Sequence, residues 1–164
     1  MKKTIYKEAS ASVTIKTEVV CPNDTNPMGI LQGGRLVEWM DIAAAVCAQT
    51  HADQICVTAS INEVTFKAAA YSGDIITIRA TITRAFNSSM ELLVEAHARK
   101  VLKPKKYLIS KAYFTFVALD KKGKVTKVMS VKPVTAAEKA EYEGALIRRE
   151  AIAAGKPSNQ AALV

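Results

Sequence analysis

Four residues of this 164-residue chain have the types and spacing to do chemistry: Asn26, Gly33, Gly34 and Asp41. Asp41 falls in the middle of an apolar, helical-period segment, where a carboxylate is costly unless it is partnered or neutralised. Desolvation there favours the protonated form, which suits a general base. The alternative is an aspartate that faces a groove or bonds a neighbouring strand. Gly33 and Gly34 open the same segment. The first N–H groups of a helix lack internal partners and carry partial positive charge, so a glycine-led helix start can receive a carbonyl oxygen that is gaining negative charge. The same pair also fits a tight turn or close packing. Asn26, in the turn Asn26-Pro-Met-Gly29, could hold a water or a carbonyl through its amide, or simply shape the turn.

Spacing constrains how these groups act together. Eight residues separate Gly33 from Asp41, about 12 Å along a helix at roughly 1.5 Å per residue. One reacting carbonyl cannot touch both. If both serve one substrate, they come from two copies of the chain. The spacing therefore predicts a dimer with antiparallel helices and two sites at the seam.

Other catalytic apparatus is not evident. The sequence holds no G-x-S-x-G elbow, no phosphate-binding P-loop and no G-x-G-x-x-G turn. Cys47 and His51 stand four apart and could share a metal, but no further ligands accompany them, so they read as packing at a helix end. No metal site is expected. Three scattered cysteines, Cys21, Cys47 and Cys56, read as reduced thiols of a cytosol rather than a disulfide framework.

The elements that must position these residues follow from periodicity. Residues 12–20 alternate Val13, Ile15, Thr17 and Val19 against Thr14, Lys16 and Glu18, which predicts a half-buried strand. From about Gly33 to His51, Leu36, Trp39, Met40, Ala43, Val46 and Cys47 recur at helical spacing. Val37, Ala44, Ala45 and Ala48 make the other side apolar as well, so the helix is expected to be enclosed. Four strands are then expected near 56–66, 74–82, 90–98 and 108–119, joined by turns as an antiparallel meander. Thr135-Ala-Ala-Glu138 is a capping-box pattern that opens a last helix running to about Ala154, before Gly155-Lys-Pro. Residues 1–155 read as one domain and 156–164 as a flexible tail. The expected class is α+β, a curved antiparallel sheet wrapped around one long helix.

Apolar residues make 49% of the chain and charged ones 23%, an ordinary globular composition. Uncharged runs reach only about a dozen residues, short of the ~18 that span a bilayer, and no secretory signal is visible. The net charge of +8 is uneven. From Arg99 to Lys132 there are eleven basic residues and one acid, Asp120. Such a field attracts polyanions. The basic stretch at 100–106 has one aromatic beside it, Tyr107, and no interleaved pattern, which is weak support for a nucleic-acid-binding module, a further alternative.

Residues 23–41, NDTNPMGILQGGRLVEWMD, resemble the N-x-x-G-x-x-x-G-G-x-x-x-x-x-M-D signature of the hotdog-fold acyl-CoA thioesterases, bacterial and cytosolic long-chain acyl-CoA hydrolases alike. VTASINEVTF, YSGD, NSSMEL, KAYFTFVALD and the final Thr-x-x-Glu helix extend the likeness over roughly residues 8–150. Gln32 stands where some hotdog thioesterases have His, and Lys67 opens a turn where many relatives have Pro. The resemblance implies a hotdog fold in a homodimer, assembled as a trimer of dimers, that hydrolyses acyl-CoA to free acid and CoA. It maps the catalytic acid to Asp41, the carbonyl-polarising site to Gly33 and Gly34, and a second catalytic position to Asn26. Phe66, and Asn87, Ser88 and Ser89 beside Arg84, become candidates for substrate contact. No cofactor beyond CoA itself, no nucleic acid and no membrane insertion is expected, in a cytoplasmic protein. A non-catalytic acyl-CoA-binding regulatory module is the alternative.

Overall fold

Ile76, Ile78, Ala80 and Ile82 occupy alternate positions of one strand and are almost wholly buried, as are Met90, Leu92, Val94 and Ala96 of the next. This period of two gives the sheet an apolar inner face, and that face curls around a helix. The computed structural model describes residues 5–155. In chain order the elements are β1 (Tyr6–Glu8), β2 (Thr14–Val19), α1 (Gly33–Ala52), β3 (Ile55–Phe66), β4 (Ile75–Ala85), β5 (Ser89–Arg99), β6 (Tyr107–Leu119), β7 (Ser130–Lys132) and α2 (Ala136–Ala153). The main sheet has the order β2-β4-β5-β6-β3 and is antiparallel throughout. The expected α+β class and the helix-in-sheet arrangement hold.

Three expectations need correction. The four later strands are not a simple meander. β4, β5 and β6 are, but β3 pairs with β6, at the far edge from β2. The connection over residues 67–74 carries the chain from one edge of the sheet towards the other, so sheet closes on the helix from both sides. Second, β2 presents its sides the other way round. Its register sets Lys16 opposite Ile78 and Glu18 opposite Ile76 on the inner side, while Ile15 and Val19 face out at 61% and 53% exposure. β2 is an edge strand, and Lys16 and Glu18 pair with each other at the rim of the core. Third, α1 is not enclosed on all sides. Leu36, Trp39, Met40, Ala43, Ala44, Cys47 and Ala48 are buried, but Ile42 and Val46 stand exposed and Asp41 is half-buried.

The uncovered flank of α1 lies beside β3, itself an edge strand twelve residues long with Ile55, Val57 and Phe66 exposed. A long apolar edge is a template for pairing with another chain.

A small parallel ladder of β1 with β7 was not foreseen. It lies near the C-terminal end of α1, where buried His51 holds the carbonyl of Met129 at 2.9 Å. His51 is thus a packed helix-end residue, as the sequence reading had it. α2 starts at the expected box: the Thr135 hydroxyl accepts from Glu138 N, and the Glu138 carboxylate accepts from Thr135 N. It ends at Ala153, and the tail at 156–164 lies outside the described residues. Among the described residues no helix is long and apolar enough to cross a membrane.

Candidate active site

The start of α1 is built by the loop before it. Gln32 N donates to Asp24 O at 2.9 Å, the Gln32 amide donates to Thr25 O at 3.0 Å, and Arg35 pairs with Asp24 at 3.1 Å. Leu36 N makes the first helical bond, to Gln32 O. The N–H groups of Gly33, Gly34 and Arg35 are left without acceptors inside the helix.

These donors adjoin an apolar cleft of about 400 Å³, lined by Ile30, Leu31, Gly33, Leu36, Phe66, Lys67, the alanines 68–70 and Ile109. Gly33 and Phe66 therefore come together on one cleft. The contact is close. A Cβ on Gly33 would sit 2.9 Å from the Phe66 ring, whereas one on Gly34 would meet nothing within 4 Å. The close-packing role of glycine and the open helix start are both realised here.

Asn26 is fixed as a turn residue. Its Oδ1 accepts from Met28 N at 2.9 Å and from Ile30 N at 3.2 Å, and Gly29 closes the turn with φ +72°. With the oxygen occupied, Nδ2 is the group left to donate, and it has no partner among the described residues.

Asp41 sits two turns along α1, on the flank next to β3. Thr58 Oγ1 donates to its Oδ1 at 2.8 Å. The carboxylate is half-buried rather than enclosed, and it bonds a neighbouring strand, as one of the two readings allowed. Asp41 does not line the Gly33 cleft. One chain thus presents the acid and the helix start as two separate half-sites.

Sequence reasoning missed Thr58. A threonine in a β-branched run carries no signal beyond strand propensity, and only the fold brings it against Asp41.

The candidates around residue 87 belong to another region. The carbonyls of Asn87 and Ser88 accept from Val128 N and Ala118 N, which anchors the β4–β5 turn. Arg84 is committed to α2: it donates to Tyr142 O at 3.0 Å and lies 4.0 Å over the Tyr142 ring. Ser89 lines a second cleft of about 300 Å³ together with Arg149, whose guanidinium stacks 4.1 Å over Phe86. Sequence reasoning had not joined Phe86, Ser60 and Asn62 to that cleft.

Cysteine chemistry is not prepared. Burial pushes the thiols of Cys47 and Cys56 up to about 11, far from the thiolate a nucleophile needs. Among the described residues no group of three His, Cys, Asp or Glu could hold a metal ion.

A sheet curled round a glycine-led helix, with an apolar cleft at the helix start and an acid further along, defines a hotdog-type thioesterase fold. Solved structures agree. The acyl-CoA hydrolase of Staphylococcus aureus, solved with butyryl-CoA, CoA and CoA disulfide, superposes with a TM-score of 0.86 at 38% identity over 91% of each chain. That of Bacillus cereus gives 0.87 at 30% identity, covering 97% of this chain and 98% of its own. Variants of the Staphylococcus aureus enzyme with an aspartate, an asparagine or a threonine changed to alanine have also been solved. A hexameric acyl-CoA thioesterase matches with a TM-score of 0.86 at 37% identity, over 89% of this chain and 94% of its own.

The chain belongs to the thioesterase superfamily, whose family model matches residues 28–105. An uncharacterised acyl-CoA thioester hydrolase of Bacillus subtilis is 34% identical over 77% of this chain and 74% of its own. Mouse acyl-coenzyme A thioesterase 11 is 38% identical over 81% of this chain, which spans only 22% of that longer protein.

Proposed function

We propose that this chain hydrolyses acyl-CoA thioesters to a free carboxylic acid and CoA, with each active site made by two copies. The carrying observation is the split site: an acid held by Thr58, and a donor-rich helix start on an apolar cleft, some 12 Å apart on one helix. Pairing two antiparallel α1 helices brings Asp41 of one copy to Gly33 and Gly34 of the other. The exposed Ile42 and Val46 and the free β3 edge supply the surface for that pairing. An even-numbered assembly follows, and a trimer of dimers fits the hexameric relatives. Residues 1–155 act as one such domain, and the free cysteines fit the cytoplasm.

The Gly33 and Gly34 N–H groups receive the thioester oxygen as it gains charge. Phe66 and the aliphatic cleft walls take the acyl chain. Asp41 removes a proton from water as its oxygen attacks the carbonyl carbon. The C–S bond then breaks, and the sulfur leaves with the proton returned through Asp41. In a second route Asp41 attacks directly, expels the CoA thiolate, and water opens the resulting anhydride. Label carried into Asp41 by a single turnover in ¹⁸O-water identifies the second route, with water attacking the Asp41 carbon of the anhydride; attack on the acyl carbon leaves the label in the released acid, as the first route does. Asn26 orients water or carbonyl through Nδ2. We assign contact with the CoA moiety to the Asn87–Ser89 turn, with Arg84 beside it. No metal or redox group enters either route.

The aspartate, asparagine and threonine replaced in the Staphylococcus aureus hydrolase stand at the same mutual spacing as Asp41, Asn26 and Thr58 here, which supports this assignment.

The test is thiol release from a series of acyl-CoAs, with Asp41→Asn expected to lose about 10²-fold or more in kcat. Near-wild-type turnover by that variant would remove Asp41 from the mechanism. Tight acyl-CoA binding without turnover by the unaltered protein would make it a binding module instead.

A further inference from the structure

The end of the molecule that carries the β5–β6 loop is both apolar and basic. Leu102 is 93% exposed and Val101 64%, at the tip of Lys100-Val-Leu-Lys-Pro-Lys-Lys106. Met28, at 76%, and Tyr71, at 45%, belong to the same end. The links are local: Ile30 bridges Tyr71, Ser72 N donates to Gly29 O, and Lys100 reaches Asp74 at 3.2 Å while lying 5.1 Å over the Tyr71 ring. Tyr107 closes the loop by donating to Ala69 O, on the wall of the acyl cleft.

Charge complements this tip. Lys103, Lys105 and Lys106 are exposed and have no carboxylate partner among the described residues. Asp74, which belongs to this end of the molecule, is buried and already holds Lys100. Aliphatic tips inside a lysine collar match an anionic lipid surface: the apolar ends reach the boundary between headgroups and acyl chains, and the lysines meet the headgroup phosphates. Nucleic acid fits less well, because single-stranded binding relies on exposed aromatic platforms: Tyr107 is half-buried with its hydroxyl bonded to Ala69 O, which leaves Tyr71 as the exposed ring described at this end.

We propose that the 100–106 loop, with Met28 and Tyr71, is a docking tip for anionic membrane surfaces, on which the protein adsorbs without crossing. The tip adjoins the cleft at the start of α1, so docking sets that cleft beside the lipid.

The test is co-sedimentation of the full chain with vesicles of phosphatidylcholine alone or with about 30% phosphatidylglycerol, without substrate, so that it stands or falls apart from the hydrolase reading. Binding to the anionic vesicles only, weakening with salt, is expected. K103Q, K105Q and K106Q together are expected to lower partitioning about 100-fold. Leu102→Ser is expected to lower it roughly tenfold. Melting and sizing of each variant confirm an unchanged fold. Absence of vesicle binding, or variants that bind as the original does, would overturn the proposal. So would tighter binding to polyuridylate RNA than to vesicles. A change of oligomeric state in Leu102→Ser would overturn it as well, assigning the tip to contacts between copies.

Discussion

Thr58 Oγ1 and Asp41 Oδ1 lie 2.8 Å apart, joining the edge strand β3 to the third turn of α1. The hydroxyl fixes which way the carboxylate faces, and the bond occupies Oδ1 rather than Oδ2. Bonds to charged groups contribute about 1.5–3 kcal/mol, so Thr58→Val is expected to lower kcat by roughly 10- to 100-fold. Thr58→Ser keeps the donor and is expected to stay within a few-fold of the original. A loss in Thr58→Ser with none in Thr58→Val would show that the methyl group, not the hydroxyl, matters.

Gly33 and Gly34 are expected to respond differently to one added methyl. In Gly33→Ala the new Cβ must displace the Phe66 ring, 2.9 Å away, at an overpacking cost of about 1–3 kcal/mol. In Gly34→Ala there is open space, and the helix gains up to about 1 kcal/mol of propensity. Thermal melts of both, with Phe66→Leu added to Gly33→Ala, check this. Phe66→Leu is expected to recover part of the loss.

Acid sensitivity is expected from His51. Burial lowers its pKa from the ordinary 6.5, outweighing the Met129 carbonyl that favours the charged form; Lys7 also lowers it and Asp53 raises it. The neutral ring is the one that folds. Its stability contribution is complete above pH 6.5 and is lost as pH falls from there towards the lowered folded value, because the unfolded chain binds the proton first. Melting temperatures between pH 7.5 and pH 5.5 are expected to fall less steeply in His51→Gln than in the original chain. Matching slopes would discard His51 as the source.

Arg148 is expected to be the main fastener of α2. It grips Glu91 with two bonds, of 2.7 and 3.1 Å, reaches Glu141 at 3.1 Å and lies 3.7 Å over the Tyr113 ring. Gly144 makes room, since a Cβ there would come within 2.8 Å of the guanidinium. Arg148→Ala strands the buried Glu91 carboxylate and is expected to cost about 3–5 kcal/mol in denaturant unfolding. Arg148→Met combined with Glu91→Gln is expected to restore much of that.

The sequence reading succeeded where periodicity is local. The inner faces of β4 and β5, the span of α1 and the capping box of α2 each follow from residues within one or two turns of one another. It failed where a partner strand decides. Ile15 and Val19 look like a buried face until pairing with β4 turns Lys16 and Glu18 inward. β3 looks like the neighbour of β4 until it pairs with β6.

By itself, the order of residues determined the class of fold, the glycine-led helix and the distance from Gly33 to Asp41, because helix rise is the same in any context. Tertiary structure alone decided that Thr58 serves Asp41, that Phe66 lies on Gly33, and that Arg84 and Arg148 are engaged by α2 and the sheet. These are contacts between residues remote in the chain. Their side chains meet only after strand register is set, and register depends on which strands lie adjacent, a choice made by burial of the whole core rather than by any single segment.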